Sequence, residues 1–246
     1  MDRFGPLDAL ASFAASAVRG GRGTSVARAV RAAAPPLDLY DMEGCPDCRL
    51  VRERLTELDL NIRVLPCPIG GTEYRPQVPE IPFLVDANRS ARVGGAAAIL
   101  DYLSTAYGDG RPRHRLSRAD AATSRVASRI RAGRGVRARP SRRPDQPLEL
   151  YSFEASPFAR RVREVLTELE LPYLLHNVGK GALVDWLPPK LRARVAPNAP
   201  PTTAHRRELF ERAGRVQVPY LVDPNTGVEM FESAAIVDYL ERTYAA

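Results

Sequence analysis

The sequence predicts two tandem α/β units, each a four-stranded mixed sheet with flanking helices. An internal repeat carries most of this. PLDLYDMEGCPDCRLVRERLTELDL, from Pro36 to Leu60, returns as PLELYSFEASPFARRVREVLTELEL, from Pro147 to Leu171. Both copies then reach an apolar-Pro-aromatic-Leu-Val-Asp segment, ending at Asp86 and Asp223, and both close on Ile-x-Asp-Tyr-Leu around Asp101-Tyr102 and Asp238-Tyr239. Within each copy the spacing runs strand, helix, strand, hairpin, helix, which gives a parallel pair joined to an antiparallel pair. A repeat this long fixes the architecture before any single motif does.

The 246 residues fit two domains of about 100 residues each. We divide them into an N-terminal helix and basic turn (1–34), a first unit (35–108), an Arg-rich helix and connector (109–146) and a second unit (147–246). Each unit is preceded by a short helix. Leu7, Leu10, Ala14 and Val18 form an apolar stripe over 7–18, and Ala121, Val126 and Ile130 a weaker one over 117–131. Ser117 suits the N-cap, with Asp120 three residues on. Gly-Arg-Gly then stops each helix.

In the first unit, residues 37–41 read as a strand. A helix opens at Pro46 or Asp47 and runs to about 58, with Leu50, Val51, Leu55 and Leu58 on one face. Strands follow at 62–65, 83–85 and near Arg92-Val93, and a helix closes at 96–105. The second unit repeats the order at 148–152, 157–169, 173–176, 219–222, 229–231 and 233–243. Its hairpin turns on Asp223-Pro224-Asn225-Thr226-Gly227, whose turn chemistry is strong. Residues 182–217 contain an insertion of about 26 residues relative to the first unit, with Trp186 and a helix expected over 203–214. Such a segment is either a lid or the original loop, shortened in the other copy.

An apolar fraction of 44% excludes disorder throughout. No apolar run approaches the roughly 20 residues of a membrane span. The Ala- and Arg-rich N-terminus has the composition of a transit peptide. However, Asp2 and Asp8 interrupt it, and ASAVRGGRG (Ala15 to Gly23) recurs as ASRIRAGRG (Ala127 to Gly135), so it belongs to the repeat. Of the net charge of +7, the connector holds the positive part: Arg111 to Arg143 contains twelve arginines and one acid. The readings are an anionic partner such as nucleic acid or lipid, or a solvated linker. No aromatic residue interleaves to stack on bases.

Three cysteines do not make a disulfide framework, and a Cys-x-x-Cys pair reads as redox or metal chemistry in a reducing compartment, with cytoplasm the default. Cys45-Pro46-Asp47-Cys48 sits where a strand hands over to a helix. There the free amides and the dipole favour a thiolate at Cys45. Arg49 and Arg52 add positive charge and Asp47 opposes it. Cys48, one turn in, is placed to attack a mixed disulfide on Cys45. A zinc site would need two further ligands, and Cys67, His114, His176 and His205 are dispersed, so no metal is expected. Pro82 and Pro219 read either as strand-initiating prolines or as cis residues that present a backbone to a peptide-like ligand.

These residues resemble the thioredoxin superfamily, and more closely the glutaredoxin-like N-terminal domain of glutathione transferases. The likeness is carried by Leu39-Tyr40, Cys45 to Cys48, Ile81-Pro82, Leu150-Tyr151, Ser156-Pro157-Phe158, Val218-Pro219-Tyr220 and Glu232-Ser233. It covers about 36–107 and 147–244, as a tandem with no all-helical transferase domain. The resemblance implies Cys45 as nucleophile, Cys48 as resolving thiol and glutathione as co-substrate. It also implies cis prolines at 82 and 219, Val218 pairing with the cysteinyl part of glutathione, and Glu232 and Ser233 holding its γ-glutamyl end. Ser156 falls where serine-type transferases stabilise the glutathione thiolate, or is only a helix N-cap, and Glu232-Ser233 could likewise only cap the closing helix. The first unit has Gly95-Ala96 in place of Glu-Ser. Cys67 aligns with Val178 and reads as a packed thiol, or else as a third redox partner.

The leading expectation is therefore a glutaredoxin-like thiol-disulfide oxidoreductase acting on small or protein disulfides. The alternatives are a glutathione-binding or transferase-like protein working through Ser156, Glu232 and Ser233, and a non-enzymatic scaffold using the connector. The units are expected to pack as an intramolecular pseudo-dimer, in a monomer or a homodimer.

Overall fold

The structure is a computed structural model that describes residues 5–27, 34–108, 117–187, 194–195 and 201–246. The first unit holds β1 (Leu37–Asp41), α2 (Pro46–Glu57), β2 (Ile62–Pro66), β3 (Phe83–Asp86), β4 (Ala91–Gly94) and α3 (Ala96–Ala106). The second holds β5 (Leu148–Ser152), α5 (Pro157–Glu168), β6 (Tyr173–Asn177), α6 (Ala204–Ala213), β7 (Tyr220–Asp223), β8 (Val228–Phe231) and α7 (Ser233–Tyr244). Helices α1 (Pro6–Val18) and α4 (Arg118–Ile130) precede the units. Residues 111–116, with three of the connector's arginines, lie outside the described residues.

Each unit has the expected mixed sheet, with β1 parallel to β2 and antiparallel to β3, and β5 parallel to β6 and antiparallel to β7. The two sets join into one eight-stranded sheet, β4-β3-β1-β2-β6-β5-β7-β8. β2 and β6 would each be an edge; they pair antiparallel, with Ile62 opposite Leu175 and Val64 opposite Tyr173. This closes two exposed ladders at once. One core runs beneath the join, including Leu39, Leu55, Ile62, Leu150, Leu166, Tyr173 and Ile236. Truncating any of these aliphatic side chains to Ala would cost about 2–5 kcal/mol.

The repeated Val-Asp and Asp-Tyr-Leu segments meet in space. Tyr102 and Tyr107 each donate to Asp86 Oδ2 at 2.6 Å, and Tyr239 and Tyr244 do the same to Asp223. Burial would raise both carboxyls, but the hydroxyl donors outweigh it and hold them below the usual range. The closing helix is thus fastened to the first strand of the hairpin in both units.

The leader helices depart from expectation. Leu7 and Leu10 are 70% and 65% exposed, while Asp8, Ser12 and Ala15 are buried. In α4 the buried residues are Asp120, Ser124 and Ala127, and Val126 is exposed. The apolar stripes therefore do not mark the packed face. The reason is the surface these helices meet, which is lined with arginines. Helix α1 packs on α5 of the second unit, and α4 packs on α2 of the first, with α1 and α4 against each other. Ser12 donates to Pro157 O at 2.7 Å, and Ser124 to Pro46 O at 2.7 Å. Each leader helix serves the opposite unit.

The following turn returns to its own unit. Arg19 makes a bidentate pair with Glu53 at 2.6–2.7 Å, and Arg131 with Glu164 at 2.7 Å. Gly23 and Gly135 fit beneath these turns with φ of +73° and +65°. Ser117 and Asp120 form the expected capping box.

The insertion carries α6 across one face of the second unit's sheet. Glu208 accepts from Tyr151 OH at 2.7 Å, and Arg212 reaches Glu229 at 2.7 Å. His205 Nδ1 lies 3.1 Å from Asp59 Oδ1 of the first unit. On the matching face of the first unit, Asp38, Tyr40, Arg63 and Leu65 line an open cavity of about 340 Å³. The extra helix thus fills in one unit the space the other leaves open.

Candidate active site

β1 ends at Asp41, and Cys45 N-caps α2 with Pro46 in the first helical position, where proline's missing N–H costs nothing. The Cys48 amide donates to Cys45 Sγ at 3.5 Å. Cys45 is partly exposed, whereas Cys48 is fully buried. The two thiols consequently diverge. The Cys48 thiol and the Cys48 and Asp47 amides stabilise the Cys45 thiolate; burial and Asp41 oppose them, and the thiol settles at about 7. Burial first, then the Cys45 interaction and Asp41, push Cys48 well above the usual thiol range. Cys67 is buried beside Leu65 and Tyr74 and pushed up to about 12, mainly by burial. A partly exposed low-pKa sulfur backed by a buried, protonated one is the arrangement that thiol-disulfide exchange uses.

Arg49 and Arg52 do not act on the sulfurs in the way their sequence positions suggest. Both are buried and turned toward carboxylates. Arg52 binds Asp41 at 2.7 and 2.8 Å, the Glu43 carbonyl at 3.1 Å and Glu154 of the second unit at 2.8 Å. Arg163 mirrors it, binding Glu43 at 3.0 Å, Glu154 at 3.0 Å and Ser152 at 2.9 Å. Arg49 and Arg160 complete the cluster, each reaching across to the opposite leader helix at Ser124 O and Ser12 O. Sequence reasoning missed this ion network. Its signal was present: Glu43, Arg49, Arg52 and Glu53 recur as Glu154, Arg160, Arg163 and Glu164.

In the second unit Ser156 stands at the Cys45 position. It is 2% exposed, and its hydroxyl accepts the Ala159 amide at 3.3 Å, capping α5. Helix α1 lies over this end, with Ser16 donating to Ala155 O at 2.8 Å and Phe13 edge-on to Phe158. Ile81–Pro82 and Val218–Pro219 are cis, as expected. Ile81 packs against the cluster of Leu65, Cys67 and Tyr74, and Val218 against the cluster of Tyr151, Val178, Tyr220 and Leu209 of α6. Glu232 precedes α7 with φ +73°, held by Gln217 Nε2 at 2.5 Å, and Ser233 is the first residue of the helix, largely buried. Among the described residues no cluster of His, Cys, Asp or Glu has the arrangement of a metal site, and no helix is long and apolar enough to cross a membrane.

Two units of β-α-β-β-β-α order, the second with α6 inserted before β7 and the first with thiols at its strand-to-helix junction, define a protein of the thioredoxin superfamily. The family model for the glutathione S-transferase N-terminal domain matches residues 39–112 and 150–246, more than half of the chain, and the chain belongs to that family. No curated protein and no solved structure matches it. The family is one of glutathione-linked domains, and it accounts for both units.

Proposed function

We propose that the chain is a glutathione-linked thiol-disulfide oxidoreductase in which Cys45 is the nucleophile and Cys48 the resolving thiol. The observation that carries this reading is the contrast between the two sulfurs: Cys45 partly exposed and ionising at about 7, Cys48 buried and protonated. The Cys45 thiolate attacks one sulfur of a small or protein disulfide. A Cys45 mixed disulfide forms and the other sulfur departs as a thiolate that takes up a proton. The Cys48 thiol then gives up its proton and attacks Cys45 Sγ. The Cys45–Cys48 disulfide forms and the second half of the substrate leaves. Two glutathiones reduce that disulfide, becoming glutathione disulfide. Reduction of a glutathione mixed disulfide, coupled to glutathione reductase, tests this. Turnover is expected in the wild type and absent in Cys45→Ser; equal rates would remove the reading.

A second reading, glutathione binding in the second unit, has one specific observation in its favour. Glu232 keeps a left-handed backbone where the first unit uses Gly95. A residue that tolerates such strain, at a cost of about 1–3 kcal/mol, commonly does so at a ligand site. Its carboxylate would take the amine of glutathione, the α7 amides and Ser233 the γ-glutamyl carboxylate, and Val218 the cysteinyl backbone. Ser156 would serve as thiolate donor only after exchanging its cap. Calorimetry with glutathione on wild type and Glu232→Ala tests this, with heat expected only from the former.

A scaffold role for the Arg-rich connector has less support. Arg131 and Arg134 pair with Asp8, Arg139 with Glu168 and Glu241, and Arg143 with Glu73. These arginines are engaged within the chain. We place the protein in a reducing compartment, the cytoplasm, as a monomeric pseudo-dimer.

A further inference from the structure

We infer that Glu154 of the second unit is a positioning residue for the Cys45–Cys48 pair: it shares the Arg52 guanidinium with Asp41 and so sets how much negative charge faces the thiols. The inference rests on the oxidoreductase reading for its meaning but not for its test.

Arg52 is the junction. Its Nη1 meets both Asp41 oxygens, at 2.7 and 2.8 Å, and lies 3.4 Å from Met42 O. Its Nη2 holds the Glu43 carbonyl at 3.1 Å and its Nε holds Glu154 at 2.8 Å. One side chain therefore grips the acid at the end of β1, two carbonyls of the loop leading into Cys45, and a carboxylate from the other unit. The loop is tied from its other side as well, with Gly44 N donating to Gly135 O at 3.0 Å. A planar five-donor guanidinium can satisfy all these acceptors together, which a lysine ammonium cannot.

The chain contains its own comparison. Where the second unit has lost the thiols, with Ser156 and Ala159 at their positions, it has also lost the acid: Ser152 stands at the position of Asp41. Glu43, Arg52 and their counterparts Glu154 and Arg163 are kept in both units. The arginine and glutamate are thus common to the join, and Asp41 goes with the sulfurs. The groups acting on the pair are Asp41 on both thiols, Arg52 on Cys48 and the Asp47 amide on Cys45; around Arg52 stand Glu43 and Arg49 of the first unit and Glu154, Arg160 and Arg163 of the second. From α4 and its turn come Ser124, Ser128 and the Arg134–Gly135 backbone. Asp41 acts against both thiolates. Burial raises Asp41 itself, and Arg52 is the main group pulling it back. Burial likewise opposes ionisation of Glu154, but Arg52 and Arg163 hold it down to about 2, so it competes for Arg52 as a full charge.

The test is the pH profile of iodoacetamide alkylation at Cys45, read by mass spectrometry. Glu154→Gln removes one negative charge and leaves Arg52 more fully to Asp41. The midpoint should fall, with alkylation at pH 6 rising roughly threefold or more. Asp41→Ser, which copies the second unit, should shift it the same way. The double variant should shift it by less than the two single shifts combined, since Glu154→Gln works by leaving Arg52 to Asp41, which the double variant lacks. A Glu154→Gln profile superimposable on wild type, or strictly additive shifts, overturns the inference. Should Glu154→Gln not melt cooperatively, Glu154→Asp replaces it. That change draws the carboxylate back from Arg52, with the same direction expected and an unmoved profile again overturning the inference. Disulfide turnover is a separate readout: a shifted profile without turnover removes only the oxidoreductase reading, and turnover with an unmoved profile removes only this inference.

Discussion

Gly95 and Glu232 share one backbone conformation, φ +77° and +73°, at the same step of the two repeats, immediately before the closing helix. Glycine reaches this region freely, while a residue with a Cβ does so under strain. We expect Glu232→Gly to raise stability by about 1 kcal/mol, a rise in Tm of roughly 2–4 °C for a chain of this size. The same variant should lose glutathione binding. A calorimetric scan with and without glutathione reads both; a lower Tm without ligand would show that the position is unstrained.

The thiols should be chemically distinguishable. Cys45 alkylation should be half-maximal near pH 7. Cys48 and Cys67 should stay unmodified in the folded chain up to about pH 9, because both are buried and titrate higher. Peptide mapping after alkylation checks this. Modification of Cys67 at the rate of Cys45 would contradict the packing around Leu65 and Tyr74.

Gly23 should not tolerate alanine. A Cβ there would lie 2.8 Å from Glu154 Cβ and 3.2 Å from Glu53 Cα, in a left-handed conformation. Strain and overlap together should cost more than about 2 kcal/mol. At Gly135 the corresponding contact is Glu43 Cβ at 3.0 Å, so the loss should be somewhat smaller. Urea midpoints of the two variants decide the order.

His205 ties α6 to Asp59 across the join of the units. Burial lowers its pKa, but the Asp59 hydrogen bond and charge, with Glu208, raise it above the ordinary value of 6.5 overall. A raised histidine stabilises the fold fully below its unfolded pKa, and that contribution is lost as pH rises through the folded value. Stability should therefore fall from pH 6 upward across this window, and His205→Gln should flatten the slope. An unchanged slope in denaturant titrations at pH 6, 7 and 8 would place the charge elsewhere.

The repeat made most of the fold legible. Pro36–Leu60 and Pro147–Leu171 align without a gap, so each strand and helix was read twice, and the Asp223–Gly227 turn fixed the second hairpin. Cys45 and Cys48 stood out as candidates because their spacing has few other uses. The leader helices were not. Their apolar residues Leu7 and Leu10 are exposed because the surface they meet carries Arg160 and Arg161, so Asp8, Ser12 and Ser16 face inward instead. Hydrophobic spacing finds a helix, but it finds the packed face only when that face meets an apolar partner. The ion network stayed hidden for a related reason. Arg52 and Glu154 lie 102 positions apart, and a local reading gave Arg52 to the Cys45 thiolate on the same helix.

The crossing of α1 onto α5 and of α4 onto α2 bears on how such a chain arises. Half of it, cut free, would carry an arm with no berth and a berth with no arm, and an identical half would satisfy both. Reciprocal exchange between two copies is the low-cost route to a dimer. Joining the copies end to end turns that encounter into one within a single molecule, at high effective concentration. Fusion also frees the halves to diverge: one can keep its sulfurs while the other spends its freedom elsewhere, and neither can be discarded, because each holds the other's arm.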